Sequence, residues 1–214
     1  MDKLGLRLRR PTGSAGGAGD LAAPLPALGP LRADAAHRSE RKLVRAAKRG
    51  SKEAFGELFN MHWPRVHRAS YLIIRDSAAA EDIAQEAFMA ALRHLDRFDA
   101  RRPLGPWLHR IVVNRSIDWT RTSRIRSEVH ADSWREETGV PGPESAAPAV
   151  SGELMSALGR LPVERRAVVV MRFLLDYTPS EIAAALELPT GTVNSRLRRA
   201  LDQLGSDYEE AADA

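Results

Sequence analysis

The feature that most constrains the fold of this chain is an unbroken helical period between residues 78 and 95. Apolar residues recur there at the i, i+3, i+4 spacing of one helix face, while acidic and amide side chains fall mainly on the other face. No stretch of useful length alternates between apolar and polar residues as a half-buried strand does. The sequence therefore predicts an all-α fold. The apolar positions of this helix are Ile83, Ala84, Ala87, Phe88, Ala91, Leu92 and Leu95.

Breaker and capping residues divide the rest of the chain into further helices. Gly50 can close a first short helix, and Ser51 can cap the next one. Pro64 should kink or restart that second helix, and Asp76 can cap the helix described above. Pro106 suits the first position of a helix that reaches about residue 124. Later helical patterns cover residues 151–160, 163–175, 179–186 and 190–204.

A length of 214 residues allows one or two domains. Changes in composition along the chain divide it into two helical units. The glycine- and proline-rich start carries no aromatic residue, which is typical of a disordered tail. A proline-rich, net-acidic stretch between the units predicts a flexible linker. We expect two small helical domains, joined by the linker and flanked by two tails. Along the chain the expected segments are a disordered tail at residues 1–36, a helical bundle at 37–126, the linker at 127–150, a helix-turn-helix domain at 151–204 and an acidic tail at 205–214.

Composition also excludes several classes of protein. There is no cysteine, so disulfides, thiolate metal sites and a thiol switch within the chain are excluded. The six histidines are scattered without a paired ligand spacing, and neither a nucleophile–base pair nor a complete phosphate-binding loop is visible. No apolar run is long enough to predict insertion into a membrane. We therefore expect no enzyme, no cofactor and no bound metal.

The C-terminal unit has the pattern of two short helices joined by a tight turn. Thr178 and Glu181 form a capping-box signature around Pro179, and the stretch from Glu187 to Thr190 supplies the turn. The second helix carries an arginine-rich outward face. This pattern is typical of a helix-turn-helix that reads duplex DNA, and the alternative is a helical hairpin whose arginine face is merely solvated.

The N-terminal unit combines a basic stretch with an acidic helix face. Residues 97–126 carry eight arginines against two aspartates, with aromatic residues between them. Such a stretch can hold phosphates and stack on unpaired bases, and Trp119 is the better stacking candidate because Trp107 lies among apolar neighbours that indicate a core position. The acidic face, with Glu81 and Asp82, indicates a basic protein partner. A metal or acid–base site is the alternative, but those two carboxylates point in different directions.

Three motifs in this order resemble the extracytoplasmic-function class of bacterial sigma factors, over residues 40–126 and 151–204. Ala80-Glu-Asp-Ile-Ala-Gln-Glu-Ala-Phe88 resembles the helix by which that family binds core RNA polymerase. Trp107-Leu-His-Arg-Ile-Val-Val-Asn-Arg-Ser-Ile-Asp118 resembles its −10 element helix. Leu161-Pro162, Arg166, Glu181-Ile-Ala183 and the run from Pro189 to Ala200 resemble its −35 element module.

The resemblance implies a role for particular residues. The acidic face would bind the clamp helices of the polymerase, through Asp82, Gln85 and Glu86. The melted −10 element would be held by the loop at residues 100–104 and by Arg101, Arg110, Asn114, Arg115, Asp118, Trp119 and Arg121. The −35 duplex would be met by Thr192, Asn194, Ser195, Arg196, Arg198 and Arg199. The acidic linker would resemble the segment that threads toward the polymerase active site.

The resemblance also implies partners and a location. The partners would be core RNA polymerase, through its clamp helices and flap, promoter DNA and an anti-sigma factor; the location would be the cytoplasm, at the nucleoid when polymerase is bound. Two departures from the family pattern concern DNA reading: Asn194 stands where many members have arginine or lysine, and Glu187 stands where glycine or aspartate is common. A positive φ at Glu187 would introduce strain. A stand-alone helix-turn-helix regulator is the alternative function.

Overall fold

The computed structural model describes residues 34–129 and 152–212, and every regular element in those two ranges is helical. The all-α prediction is therefore confirmed. A short 3-10 turn, Leu95–Arg97, lies between the third and fourth α-helices. The helices are α1 Asp34–Lys48, α2 Lys52–Ile74, α3 Ser77–His94, α4 Leu104–Val129, α5 Gly152–Arg160, α6 Val163–Phe173, α7 Pro179–Leu186 and α8 Thr190–Ala212.

Local side-chain chemistry sets where the first helices begin and end. The Ser51 hydroxyl accepts a hydrogen bond from the Ala54 amide at 3.2 Å, and an Asp76 carboxylate oxygen accepts one from the Ala79 amide at 2.9 Å. Both caps were expected from the sequence, because these side chains satisfy free N–H groups of the first helical turn. Gly50 has φ +92°, a conformation that glycine adopts without steric cost, and it separates α1 from α2.

The N-terminal unit is a bundle in which α2 packs against α1, α3 and α4. Leu58, Val66 and Ile73 of α2 are almost fully buried, as is Leu108 of α4. Trp107 is also buried, and its ring stacks on Phe98 with centroids 4.9 Å apart. The prediction that Trp107 is a core residue is therefore confirmed.

Several helix boundaries differ from those that the sequence predicts. α2 passes through Pro64 as one helix, and α4 begins at Leu104, so Pro106 occupies its third position. α4 continues to residue 129, and α8 continues to residue 212 through most of the expected acidic tail. Leu92 was expected inside but is 41% exposed, and Leu201 of α8 is 46% exposed.

In the C-terminal unit, α8 packs against α5, α6 and α7. The capping box that begins α7 is present: the Glu181 amide donates to the Thr178 hydroxyl at 3.3 Å, and the Thr178 amide donates to the Glu181 carboxylate at 2.7 Å. Val168 and Met171 of α6 are fully buried. The long helix α8 thus forms the centre on which the three shorter helices are arranged.

The two units pack against each other through α6, which lies on α2 and α4. Buried side chains of both units form one continuous hydrophobic core. The buried guanidinium of Arg166 donates to the carbonyl oxygens of Ile73 at 2.6 Å, Leu161 at 2.9 Å and Gly159 at 3.0 Å. Burial, together with the nearby charge of Arg75, lowers the pKa of Arg166 to about 10. The expected linker lies outside the described residues, apart from its first three positions, which continue α4.

Candidate nucleic-acid interface and acidic face

Helix α8 presents the residues expected to meet duplex DNA on its outer side. Val193 and Ala200 are fully buried and Leu197 is nearly so, which fixes the rotation of the helix on α6 and α7. The opposite face carries the remaining side chains of the helix start. Asn194, Arg198 and Arg199 are exposed, and Thr192, Ser195 and Arg196 are half-buried. All six expected −35 residues thus lie at the accessible start of one helix.

The turn between α7 and α8 is held by Glu187 in the left-handed conformation, with φ +56°. Its amide donates to the Ala183 carbonyl, and the Leu188 amide donates to the same carbonyl at 2.9 Å. A residue with a Cβ in this conformation carries a cost of about 1–2 kcal/mol that glycine does not. The strain expected at this position is therefore present.

The residues expected to hold the −10 element lie along α4 and the loop before it, with unequal accessibility. Arg101 and Asp118 are exposed, and Asn114 and Trp119 are half-buried. The Arg101 guanidinium donates to the Asp99 carboxylate at 3.0 Å and, with the Arg101 amide, lowers the pKa of Asp99 to about 2. This pair orders the loop at the start of the basic stretch.

Two arginines of the expected −10 set are engaged by the C-terminal unit. The Arg110 side chain is only 8% exposed, and its guanidinium donates to the Glu187 carboxylate at 2.5 Å. Arg121 donates to the Glu164 carboxylate at 2.8 Å. Partial burial raises the pKa of Glu164, but the hydrogen bonds from Arg121 and from its own backbone outweigh that effect and lower it overall. In this arrangement Arg110 is not available to a nucleic acid.

The acidic face of α3 is accessible to solvent. Asp82, Gln85 and Glu86 are all exposed, and Gln85 donates to Glu81 at 3.1 Å. Glu86 forms an ion pair with Arg115, so a residue of the expected polymerase set contacts one of the −10 set. Met89, which is 51% exposed, continues this face one turn further. The sequence analysis missed Met89, although its spacing from Gln85 places it on the same side of the helix.

A second group that the sequence analysis did not single out is the buried His109. Its Nδ1 lies 3.1 Å from the Tyr177 hydroxyl, across the contact between the two units. Burial lowers the pKa of His109 to about 3, with smaller contributions from the nearby His62 and Arg65. Burial also raises the pKa of Tyr177. Both groups are therefore neutral at physiological pH, and their role is to pack the two units together.

The arrangement offers binding surfaces rather than a metal centre. In residues 34–129 and 152–212, acidic and histidine side chains form no group that could hold a metal ion. Within the same ranges, no helix is both long and apolar enough to cross a bilayer. The accessible features are a basic helix start on α8, a basic stretch around α4 and an acidic face on α3. The first two suit nucleic acid, and the third suits a basic protein surface.

Comparison with known proteins agrees with this division. Residues 58–125 match the family model described as sigma-70 region 2, and residues 151–204 match that of sigma-70 region 4. The ECF RNA polymerase sigma factor SigM of Mycobacterium tuberculosis (strain H37Rv) is 35% identical over 167 residues, covering 78% of this chain and 83% of SigM. The ECF sigma factor SigW of Bacillus subtilis (strain 168) is 28% identical over 180 residues, covering 77% of this chain and 94% of SigW.

Solved structures show the same helical architecture. CnrH, solved in complex with the cytosolic domain of CnrY, is 27% identical, with a TM-score of 0.58 over 82% of this chain and 99% of CnrH. The sigma factor RpoE from Bartonella quintana, solved with the anti-sigma factor NepR, has a TM-score of 0.62 over 72% of this chain and 96% of RpoE. At 20% identity, the likeness to RpoE concerns the fold alone.

Proposed function

The chain belongs to the sigma-70 family of RNA polymerase sigma factors, in its extracytoplasmic-function class, and we propose how its two units divide the work of promoter recognition. The N-terminal unit, residues 37–126, binds core RNA polymerase and the melted −10 element. The C-terminal unit, residues 151–204, binds the −35 duplex. The observation that carries this proposal is the separation of an exposed acidic face on α3 from the exposed arginines of α8.

The −35 element is read by the start of α8 in the major groove. Arg196, Arg198 and Arg199 supply guanidinium groups for guanine edges and phosphates, and a bidentate base contact of this kind contributes about 1–3 kcal/mol of discrimination. Thr192 and Ser195 reach phosphates or bases from the first turns. Asn194 has the geometry that suits adenine rather than guanine, so it gives this chain a −35 preference different from that of relatives with a basic residue there.

The −10 element is held as a single strand by α4 and the loop before it. Asn114 binds an extruded base, and Trp119 stacks beside the strand, with Asp118 at the edge of the site. Arg101, Arg115 and Arg121 contact the phosphates of the strand, and Arg110 joins them once it has left the Glu187 carboxylate. Extruding a base costs a few kcal/mol, which stacking of about 1–3 kcal/mol per base can offset. Opening is therefore driven by binding free energy, and the chain performs no chemistry of its own.

Core polymerase binds the acidic face of α3 through its clamp helices. Asp82, Gln85 and Glu86 supply charge and hydrogen-bond acceptors, and Met89 supplies apolar area at the edge of the contact. The flap of the polymerase holds the C-terminal unit near the −35 element. An anti-sigma factor is the proposed inhibitor, as membership of the family implies, and the proposed location is the cytoplasm.

The test combines the purified protein with bacterial core RNA polymerase on a genomic DNA pool and sequences the 5′ ends of the transcripts. Defined start sites that core polymerase alone does not produce, preceded by two shared sequence elements, are the expected result. Asn114→Ala should impair −10 recognition more than core binding. A protein that neither binds core polymerase nor produces new start sites would contradict the proposal.

A further inference from the structure

The exposed face of α1 carries a basic stripe made of Arg38, Lys42 and Arg45, and Arg49 continues it in the turn that follows the helix. The spacing of four, three and four residues aligns these side chains on one side of the helix, and all four are exposed. The opposite side of α1 is buried at Val44 and Ala47. Among the described side chains, no ion pair joins a carboxylate to the stripe.

Two contacts fix α1 beside the loop that precedes α4. The Lys48 ammonium donates to the Phe98 carbonyl at 2.8 Å, at the beginning of that loop. The buried Glu40 carboxylate accepts from the Leu104 amide at 3.2 Å, at its end. The loop carries Arg101 of the proposed −10 site. The helix that carries the basic stripe therefore lies beside this loop, with the stripe on another face of the helix.

The dimensions of the stripe suit a nucleic acid backbone. With a rise of about 1.5 Å per residue, the stripe extends for roughly 16 Å, which spans about five phosphates of one strand at about 3.4 Å each. An acidic protein surface would also attract these charges, but the position of α1 beside the −10 loop favours DNA. We propose that the basic stripe binds the phosphate backbone of the promoter duplex that flanks the melted −10 element. This inference rests on the proposed function.

The test uses the full chain bound to core polymerase and compares two triple variants. Lys42→Gln/Arg45→Gln/Arg49→Gln, the neutral variant, removes three of the four positive charges. Lys42→Arg/Arg45→Lys/Arg49→Lys keeps all of them on the same exposed positions. Promoter binding is measured between low and physiological salt on two fork templates, with and without duplex DNA flanking the −10 element. Each lost phosphate contact lowers the slope of log K against log salt by about 0.9.

The neutral variant should bind the template with flanking duplex about tenfold more weakly, with a slope smaller by about 2–3, and the charge-keeping variant should match the wild type. On the template without flanking duplex, the neutral variant should bind with the same affinity and the same slope as the wild type. Equal slopes for all three proteins would overturn the inference while leaving the proposed function intact. A matching loss of core binding would also overturn it, because the stripe would then contact polymerase. A wild type that forms no core-dependent promoter complex would overturn the proposed function and this inference with it.

Discussion

Arg110 of α4 and Glu187 of the turn before α8 form an ion pair across the contact between the two units, 2.5 Å from guanidinium to carboxylate. The pair is asymmetric, because the Arg110 side chain is 8% exposed and that of Glu187 is 65% exposed. The Glu187 carboxylate therefore compensates the positive charge of a buried guanidinium, whereas the carboxylate itself is largely in contact with solvent. Glu187 also has a left-handed backbone, so one residue forms the turn of the helix-turn-helix and contributes to the contact between the two units.

The first prediction separates these two roles of Glu187. Both Glu187→Gly and Glu187→Ala remove the ion pair and leave Arg110 without its carboxylate. This change should weaken the contact between the two units by about 1–3 kcal/mol. Each variant should therefore bind a −10 single strand several-fold more tightly as free protein, measured by fluorescence anisotropy. Glycine alone relieves the left-handed strain, so Glu187→Gly should be the more heat-stable of the two. Strand binding unchanged in both variants would contradict the prediction.

The second prediction concerns the acidic face of α3. Asp82→Lys should reduce the affinity for core polymerase by about 30-fold or more, because it places a like charge in a basic contact. Asp82 is preferred over Glu86, since Glu86 also pairs with Arg115. Glu57→Lys, an exposed charge reversal on α2, is the matched control and should bind normally. Core binding is measured by competition, with circular dichroism to verify the helical fold; equal affinity for both variants would disprove the assignment.

The third prediction concerns the buried Arg166. Arg166→Lys keeps the charge but loses the planar fork that reaches three carbonyl groups, so we expect a loss of about 2–4 kcal/mol in the free energy of unfolding. Arg165→Lys is the control, because Arg165 is half-buried and makes one long hydrogen bond of 3.4 Å to Gln203. Urea unfolding measures both. Similar midpoints for the two variants would show that the fork geometry is unimportant.

The fourth prediction is a pH dependence due to His109. Its pKa falls from the ordinary 6.5 to about 3 in the folded chain. Between these values the unfolded chain binds a proton that the folded chain does not, so folding stability is lost as pH decreases from about 6.5 toward 3, by at most about 1.4 kcal/mol per pH unit. His109→Gln should show a shallower decline than the wild type in urea unfolding at pH 4.5–7. Parallel curves would mean that His109 does not carry the effect.

The helices and most of the binding surfaces could be predicted from the sequence because their causes are local. The capping box at Thr178 and Glu181, the cap at Ser51 and the apolar period of α3 each depend on residues a few positions apart. The same period placed Asp82 and Glu86 on an outward face, where the structure also has them. Leu92 fitted that period yet is exposed, because periodicity identifies a face but not how far the neighbouring helices cover it.

The tertiary structure alone decided how the two units meet. The sequence determined a helical bundle, a helix-turn-helix and the arginine-rich face of α8, and it indicated Trp107 as a core residue. It could not show that Arg166 reaches the Ile73 carbonyl, that His109 meets Tyr177, or that Glu187 covers Arg110. These partners are separated by 68 to 93 residues, and no local propensity encodes such a pairing. Which arginines are accessible to DNA therefore depends on the packing of distant helices, not on the order of the residues along the chain.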